Sequence, residues 1–121
     1  MAAFYDVYNA LGYGFLEKVY QNALCQELIS RGFSCELQRH VEVYYKGCKV
    51  GDYYPDIVVD SCIILELKTV DVLAHEHEAQ LVNYLRSTAI ELGLLLNFGA
   101  HPQIVRRIYT NDRKNNLRLS V

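Results

Sequence analysis

Three charged side chains stand where their neighbours are apolar. The stretch PDIVVDSCIILELK, residues 55 to 68, is dominated by Ile, Val and Leu, yet carries Asp56, Glu66 and Lys68. Side chains alternate along a strand, so Cys62, Ile64, Glu66 and Lys68 share one face and Ile63, Leu65 and Leu67 the other. A loop of Asp60, Ser61 and Cys62 pairs Val59 with Ile63 and Ile57 with Leu65, which sets Asp56 opposite Glu66; an even loop would put the two acids on opposite faces. Apolar matching favours the odd loop and keeps one face wholly greasy. Two carboxylates facing each other on a sheet repel and need compensation. A divalent cation provides it: Mg²⁺ takes one or two carboxylates with water and phosphate oxygens, and an adjacent lysine can orient a water or offset developing negative charge. The plainer account is an ion pair between Lys68 and Glu66 or Asp56 at the sheet rim, a common arrangement.

Further polar residues fall on faces that should be apolar. At about 100° per residue, Glu17 lies within about 20° of Leu24 and Leu28 and about 60° from Tyr20, inside the stripe a second helix turns to the sheet. It needs a partner there, or else it simply favours the positive end of the helix and reaches solvent past Gly14. Gln80 and Tyr84 are four apart on a third helix, with Tyr84 at the margin of the Leu81, Val82, Leu85, Ala89 stripe, so both can reach a site at the sheet end. His75 and His77, interleaved with Glu76 and Glu78, point about 200° apart on a regular helix and cannot grip one ion. An extended loop would instead let them approach phosphate. No GxSxG or GxxxxGK[ST] context supports a serine hydrolase or nucleotide-driven chemistry.

The elements that must position these residues follow from periodicity and breakers. A short helix spans 2 to 11 and is interrupted by GYG at 12 to 14. The second helix runs from about Phe15 to Ser30, with Leu16, Tyr20, Ala23, Leu24 and Leu28 as its stripe, and stops at Gly32. Strands at 40 to 46, roughly 49 to 59, and 62 to 69 form an antiparallel meander. A helix from 75 to about Leu92, ended by Gly93, precedes a buried strand at 94 to 99 (LLLNFG) and an edge strand at 104 to 110. The four tyrosines at 44, 45, 53 and 54 can stack on bases, though strand packing is their commoner use.

The whole chain bounds the possibilities. Its 121 residues suit one domain, 1–121, whose end at 111–121 can fray. With 51% hydrophobic and 21% charged residues it has a globular composition, and no apolar run approaches the roughly 18 residues of a spanning helix. A cytoplasmic protein without membrane contact is the expectation. Cys25, Cys35, Cys48 and Cys62 form no CxxC pair and read as buried free thiols. Net charge is −2, so there is no overall electrostatic footprint for nucleic acid, although Arg106, Arg107, Arg113, Lys114 and Arg118 could make a local basic strip.

Together these pieces resemble the PD-(D/E)xK nuclease superfamily, and within it the small GxxExxY proteins. Gly14, Glu17 and Tyr20 match the naming motif, Pro55-Asp56 and Glu66-Leu67-Lys68 the nuclease signature, and Gln80 with Tyr84 the QxxxY motif of RecB-like exonucleases. The likeness runs from about Phe4 to Tyr109. It implies an α/β, restriction-endonuclease-like αβββαβ core with a mixed central sheet flanked by helices. In that core Asp56, Glu66 and the main-chain carbonyl of Leu67 would hold Mg²⁺ or Mn²⁺. Lys68 would position the attacking water, Glu17 would act through the metal or its waters, Gln80 would orient Lys68 or substrate, and Tyr84 would complete the site. The implied reaction is phosphodiester hydrolysis in DNA, or RNA, by a metal-activated water, and an exposed edge strand allows a homodimer. The second reading is a noncatalytic nucleic-acid- or protein-binding module that retains the fold. Three acids and a lysine on converging faces favour the enzyme, because unpaired charge at a partly buried site costs stability.

Overall fold

A computed structural model describes residues 1–114. Ala3, Phe4 and Val7 recur at helical spacing and form the buried stripe of α1 (Ala2–Leu11). From the same helix the Tyr8 hydroxyl donates to the Gly99 carbonyl at 2.8 Å, tying the start of the chain to the end of a late strand. Helix α2 (Glu17–Ser30) buries Tyr20, Leu24 and Leu28. Leu16, expected in that stripe, is its N-cap and 80% exposed, because the chain is still turning there. Tyr20 holds the turn: its hydroxyl donates to the Gly12 carbonyl at 2.6 Å and accepts from the Phe15 N–H, while its ring stacks on Phe98.

The strands are β1 (Cys35–Glu36), β2 (Val41–Tyr45), β3 (Cys48–Tyr53), β4 (Ile57–Val59), β5 (Ile63–Lys68), β6 (Leu92–Asn97) and β7 (Gln103–Ile108), with α3 (His75–Arg86) between β5 and β6. Five of them form a mixed sheet in the order β1-β4-β5-β6-β7, parallel at β5/β6 and antiparallel elsewhere. The parallel pair needs a crossover, which α3 supplies. The αβββαβ order is therefore α2, β1, β4, β5, α3, β6, a mixed α/β architecture with helices on both faces.

The expected meander needs correction. The stretch from 49 to 59 is two strands broken around Tyr54-Pro55, because proline cannot donate to a ladder. Strand β3 pairs only with β2, through a turn with Lys46 and Gly47 both at positive φ, and this hairpin is a sheet of its own. The third strand of the core is the two-residue β1, too short to show a period.

The expected register at the second hairpin is observed. Val59 pairs with Ile63, Val58 with Ile64 and Ile57 with Leu65, and Asp60 and Ser61 adopt the positive φ that the tight loop requires. Both faces of this hairpin are apolar, however. Ile57, Val59, Leu65 and Leu67 pack with Leu96 and Phe98 beneath α1 and α2, whereas Val58, Ile64 and Leu95 pack against Leu81 and Leu85 of α3. A strand covered on both sides reads as a continuous hydrophobic run. Glu66 and Asn97 are the buried polar residues among those described.

Helix α3 ends at Arg86, not near Leu92. Ser87 and Thr88 turn their hydroxyls back onto the carbonyls of Asn83 and Tyr84 and close the last turn. Gly93 lies inside β6, where an added Cβ would come within 2.7 Å of Leu81 Cδ1, so this glycine lets α3 approach the sheet. The segment at 111 to 114 is also tied down: Lys114 Nζ donates to the carbonyls of Thr88 and Ile90 and to Asn111 Oδ1. The rest of the tail, Arg118 included, lies outside the described residues. The basic strip is largely engaged internally, with Arg107 paired to Glu78 and Arg113 over the Tyr109 ring. The cysteines are free, but Cys48 and Cys62 are exposed and Cys25 and Cys35 half-buried, not fully buried as expected. No helix among the described residues is long and apolar enough to cross a membrane.

Candidate active site

The parity of the β4/β5 loop carries Asp56, one residue before β4, to the side of Glu66. Asp56 Oδ2 accepts the Leu67 N–H at 2.8 Å, which fixes the carboxylate against β5. On the other side Gln21, one turn after Glu17 on α2, donates from Nε2 to the Asp56 carbonyl at 2.7 Å. Gln21 was not singled out from the sequence; its position four residues after Glu17 was the available signal.

Glu66 is 8% exposed and its Oε1 is buried without a hydrogen-bond partner. Burial, and then the charge of Asp56, push its carboxyl up to about 8, while the Asp56 backbone amide and Lys68 oppose the rise. Lys68, half-buried two residues on, makes no ion pair among the described residues, so the rim salt bridge is not formed. Its ammonium nonetheless favours the charged forms of both Glu66 and Glu17.

Glu17 occupies the first turn of α2 and is exposed by surface area. Partial burial raises its carboxyl above the ordinary range; Lys68 opposes this, Asp56 adds to it, and the His77 ring opposes it only when it carries a charge. The acid thus lies within electrostatic reach of Lys68 and Asp56. Of the two sequence accounts, the helix start is what is seen: Glu17 is exposed in the first turn of α2 and is not part of its buried stripe.

From α3, Tyr84 comes within electrostatic reach of the two inner carboxylates. Its phenol is raised by burial and then by the charges of Glu66 and Asp56, and Gln80 beside it works against the rise. Gln80 is exposed and associates with Tyr84, not with Lys68. Tyr53, at the end of β3, stacks on Tyr84 with ring centroids 3.6 Å apart and donates to the Tyr84 carbonyl at 3.2 Å. Burial, and then Glu66, also raise the Tyr53 phenol. Tyr53 thus serves as the hairpin's anchor beside the acids. Below them Asn97, level with Lys68 in the β5/β6 ladder, joins both backbone groups of Val70 and the Gly99 N–H. A Cβ at Gly99 would lie 2.0 Å from the Val70 carbonyl oxygen, so only glycine fits under the end of the Lys68 strand.

Among the described residues no three His, Cys, Asp or Glu side chains gather closely enough to enclose a metal by themselves, so Glu17 does not join Asp56 and Glu66 in a closed set. The two inner carboxylates still suit a hard divalent cation. An orphaned buried oxygen beside a second carboxylate is the donor chemistry Mg²⁺ accepts while keeping several waters.

A family model described as the PD-(D/E)XK nuclease superfamily matches residues 1–108. The chain belongs to this superfamily. In this PD-(D/E)XK domain the residues the name spells, Pro55-Asp56 and Glu66-Leu67-Lys68, are those that β4 and β5 bring side by side. Among solved structures the chain is similar to one titled "Crystal structure of SSO0001", with a TM-score of 0.55 and 16% identity over 77% of this chain and 50% of that one. That likeness is one of fold, and the chain spans half the length of that protein. No curated protein matches the chain.

Proposed function

We propose that this PD-(D/E)XK domain is a Mg²⁺-dependent nuclease of the GxxExxY type that hydrolyses phosphodiester bonds, with DNA the first substrate to test and RNA the second. The observation that carries the reading is the buried, unpartnered Oε1 of Glu66 beside Asp56, with the ammonium of Lys68 making no ion pair among the described residues. Such an arrangement costs stability in the resting protein and is explained by a cation and a phosphate that complete it. Asp56, Glu66 and the Leu67 carbonyl would hold Mg²⁺ or Mn²⁺, which when bound supplies Lewis-acid polarisation and an acidified water.

The chain's own residues do the rest. Lys68 orients the attacking water and offsets charge developing on the phosphate. Glu17, at the mouth, accepts hydrogen bonds from waters entering the cleft. Tyr84 and Gln80 form the wall in the manner of a QxxxY pair, and Gln21 and the Leu67 amide keep Asp56 from turning away.

Cation binding separates this reading from a noncatalytic module. Added Mg²⁺ should raise the melting temperature of the wild type, and Asp56→Asn or Glu66→Gln should abolish the shift. A shift that survives both substitutions, or none in the wild type, would remove the basis for a metal-dependent nuclease.

A further inference from the structure

His77 is the third residue of α3, and the ring folds back over the start of the helix. The Ala74 N–H donates to His77 Nδ1 at 3.1 Å, while Ala74 itself has no side-chain oxygen to return a bond. Only the reverse half of a reciprocal cap is made. An acceptor role at Nδ1 fixes the neutral tautomer, with the ring proton on Nε2. The ring is half-buried.

Helical spacing decides from which side of α3 the ring projects. His77 precedes Leu81 by one turn and Tyr84 by two, so the three share a side of α3. Leu81 is fully buried against the sheet, and Tyr84 lies beside Glu66 and Asp56. From α2, Glu17 lies within electrostatic reach of both Lys68 and the His77 ring. A helix cap could be made by many residues; a histidine whose Nδ1 accepts the Ala74 N–H keeps a second ring nitrogen for another partner.

We infer that His77 is a substrate-contacting residue of this site, offering its Nε2–H to a non-bridging oxygen of the phosphodiester beside Lys68; the inference rests on the nuclease reading. A neutral donor is suited to the task, since it holds an anion without competing for the cation that Asp56 and Glu66 attract.

The test uses His77→Ala and His77→Gln in the whole chain, with single-stranded and duplex labelled oligonucleotides. Glutamine can accept the Ala74 N–H and still present an N–H, so it should restore what alanine loses. Binding is measured with Ca²⁺ in place of Mg²⁺, cleavage with Mg²⁺, and the His77 tautomer by ¹⁵N NMR. The expected results are a protonated Nε2 that shifts when oligonucleotide is added, and binding and kcat/KM for His77→Ala lowered about ten-fold at a temperature where it remains folded, a loss typical of one hydrogen bond to an anion. His77→Gln should recover most of that loss. An alanine variant that only melts earlier, but binds and cleaves as the wild type does, would reduce His77 to a cap and overturn the inference, as would an Nδ1-protonated ring. Should the wild type cleave nothing, catalysis is refuted, while the binding and NMR arms still decide the role of His77.

Discussion

At the scale of single residues, Glu66 makes the site measurable before any substrate is known. Its carboxyl, ordinarily near 4.5, is pushed up to about 8 by burial and by Asp56. Between those values the folded protein keeps a proton that the unfolded chain releases, so in metal-free buffer stability should fall as pH rises through the window and level off above it. At about 1.4 kcal/mol per pKa unit the loss is at most about 5 kcal/mol. Denaturant unfolding in EDTA near pH 5 and near pH 8 measures it; Glu66→Gln should flatten most of the slope, and an unchanged slope would assign the effect elsewhere. The pairing of Asp56 with Glu66 was legible because side-chain alternation and loop parity leave two registers, one of which buries acids among leucines. The roles of Gln21 and Asn97 were not, since each depends on a backbone carbonyl or amide that folding brings from a distant segment.

At the scale of elements, the register of the β4/β5 hairpin was more legible than the element boundaries. Pro55 splits one expected strand into β3 and β4, and the hairpin that results stands outside the main sheet. Its half-exposed residues carry no clean alternation to say so. Tyr53 reads as one tyrosine among four; its stack on Tyr84 and its hydrogen bond to the Tyr84 carbonyl distinguish it. Tyr53→Ala should therefore cost about 2 kcal/mol and raise amide exchange across β2 and β3 while β5 stays protected. Equal exchange in the two hairpins would mean the anchor lies elsewhere. Gly93 misled for a similar reason: a glycine after an apolar helical run looks like a terminator, but here it makes room for Leu81. Gly93→Ala should destabilise by about 1–3 kcal/mol through overpacking, read from chemical denaturation. A neutral result would show that Leu81 can give way.

At the scale of the whole molecule, an apolar layer on each face of the main sheet leaves Asp56, Glu66 and Glu17 within electrostatic reach of one another, near where α2, the β4/β5 hairpin and α3 meet. Net charge is −2, and much of the described basic strip is bound to its own chain, so few phosphates can be neutralised at once. Oligonucleotide binding in Ca²⁺ should accordingly weaken only gently with salt, each contacted phosphate adding about 0.7–0.9 to the logarithmic slope. A slope equivalent to six or more phosphates would reveal a binding surface other than this site. The most direct test of the central claim is cleavage of labelled single- and double-stranded DNA and RNA by the wild type and by Lys68→Met, with Mg²⁺ and with EDTA. The account predicts Mg²⁺-dependent products from the wild type and at least about a hundred-fold less from a folded Lys68→Met. Equal cleavage by the two proteins, or none by the wild type with Mg²⁺, would contradict it.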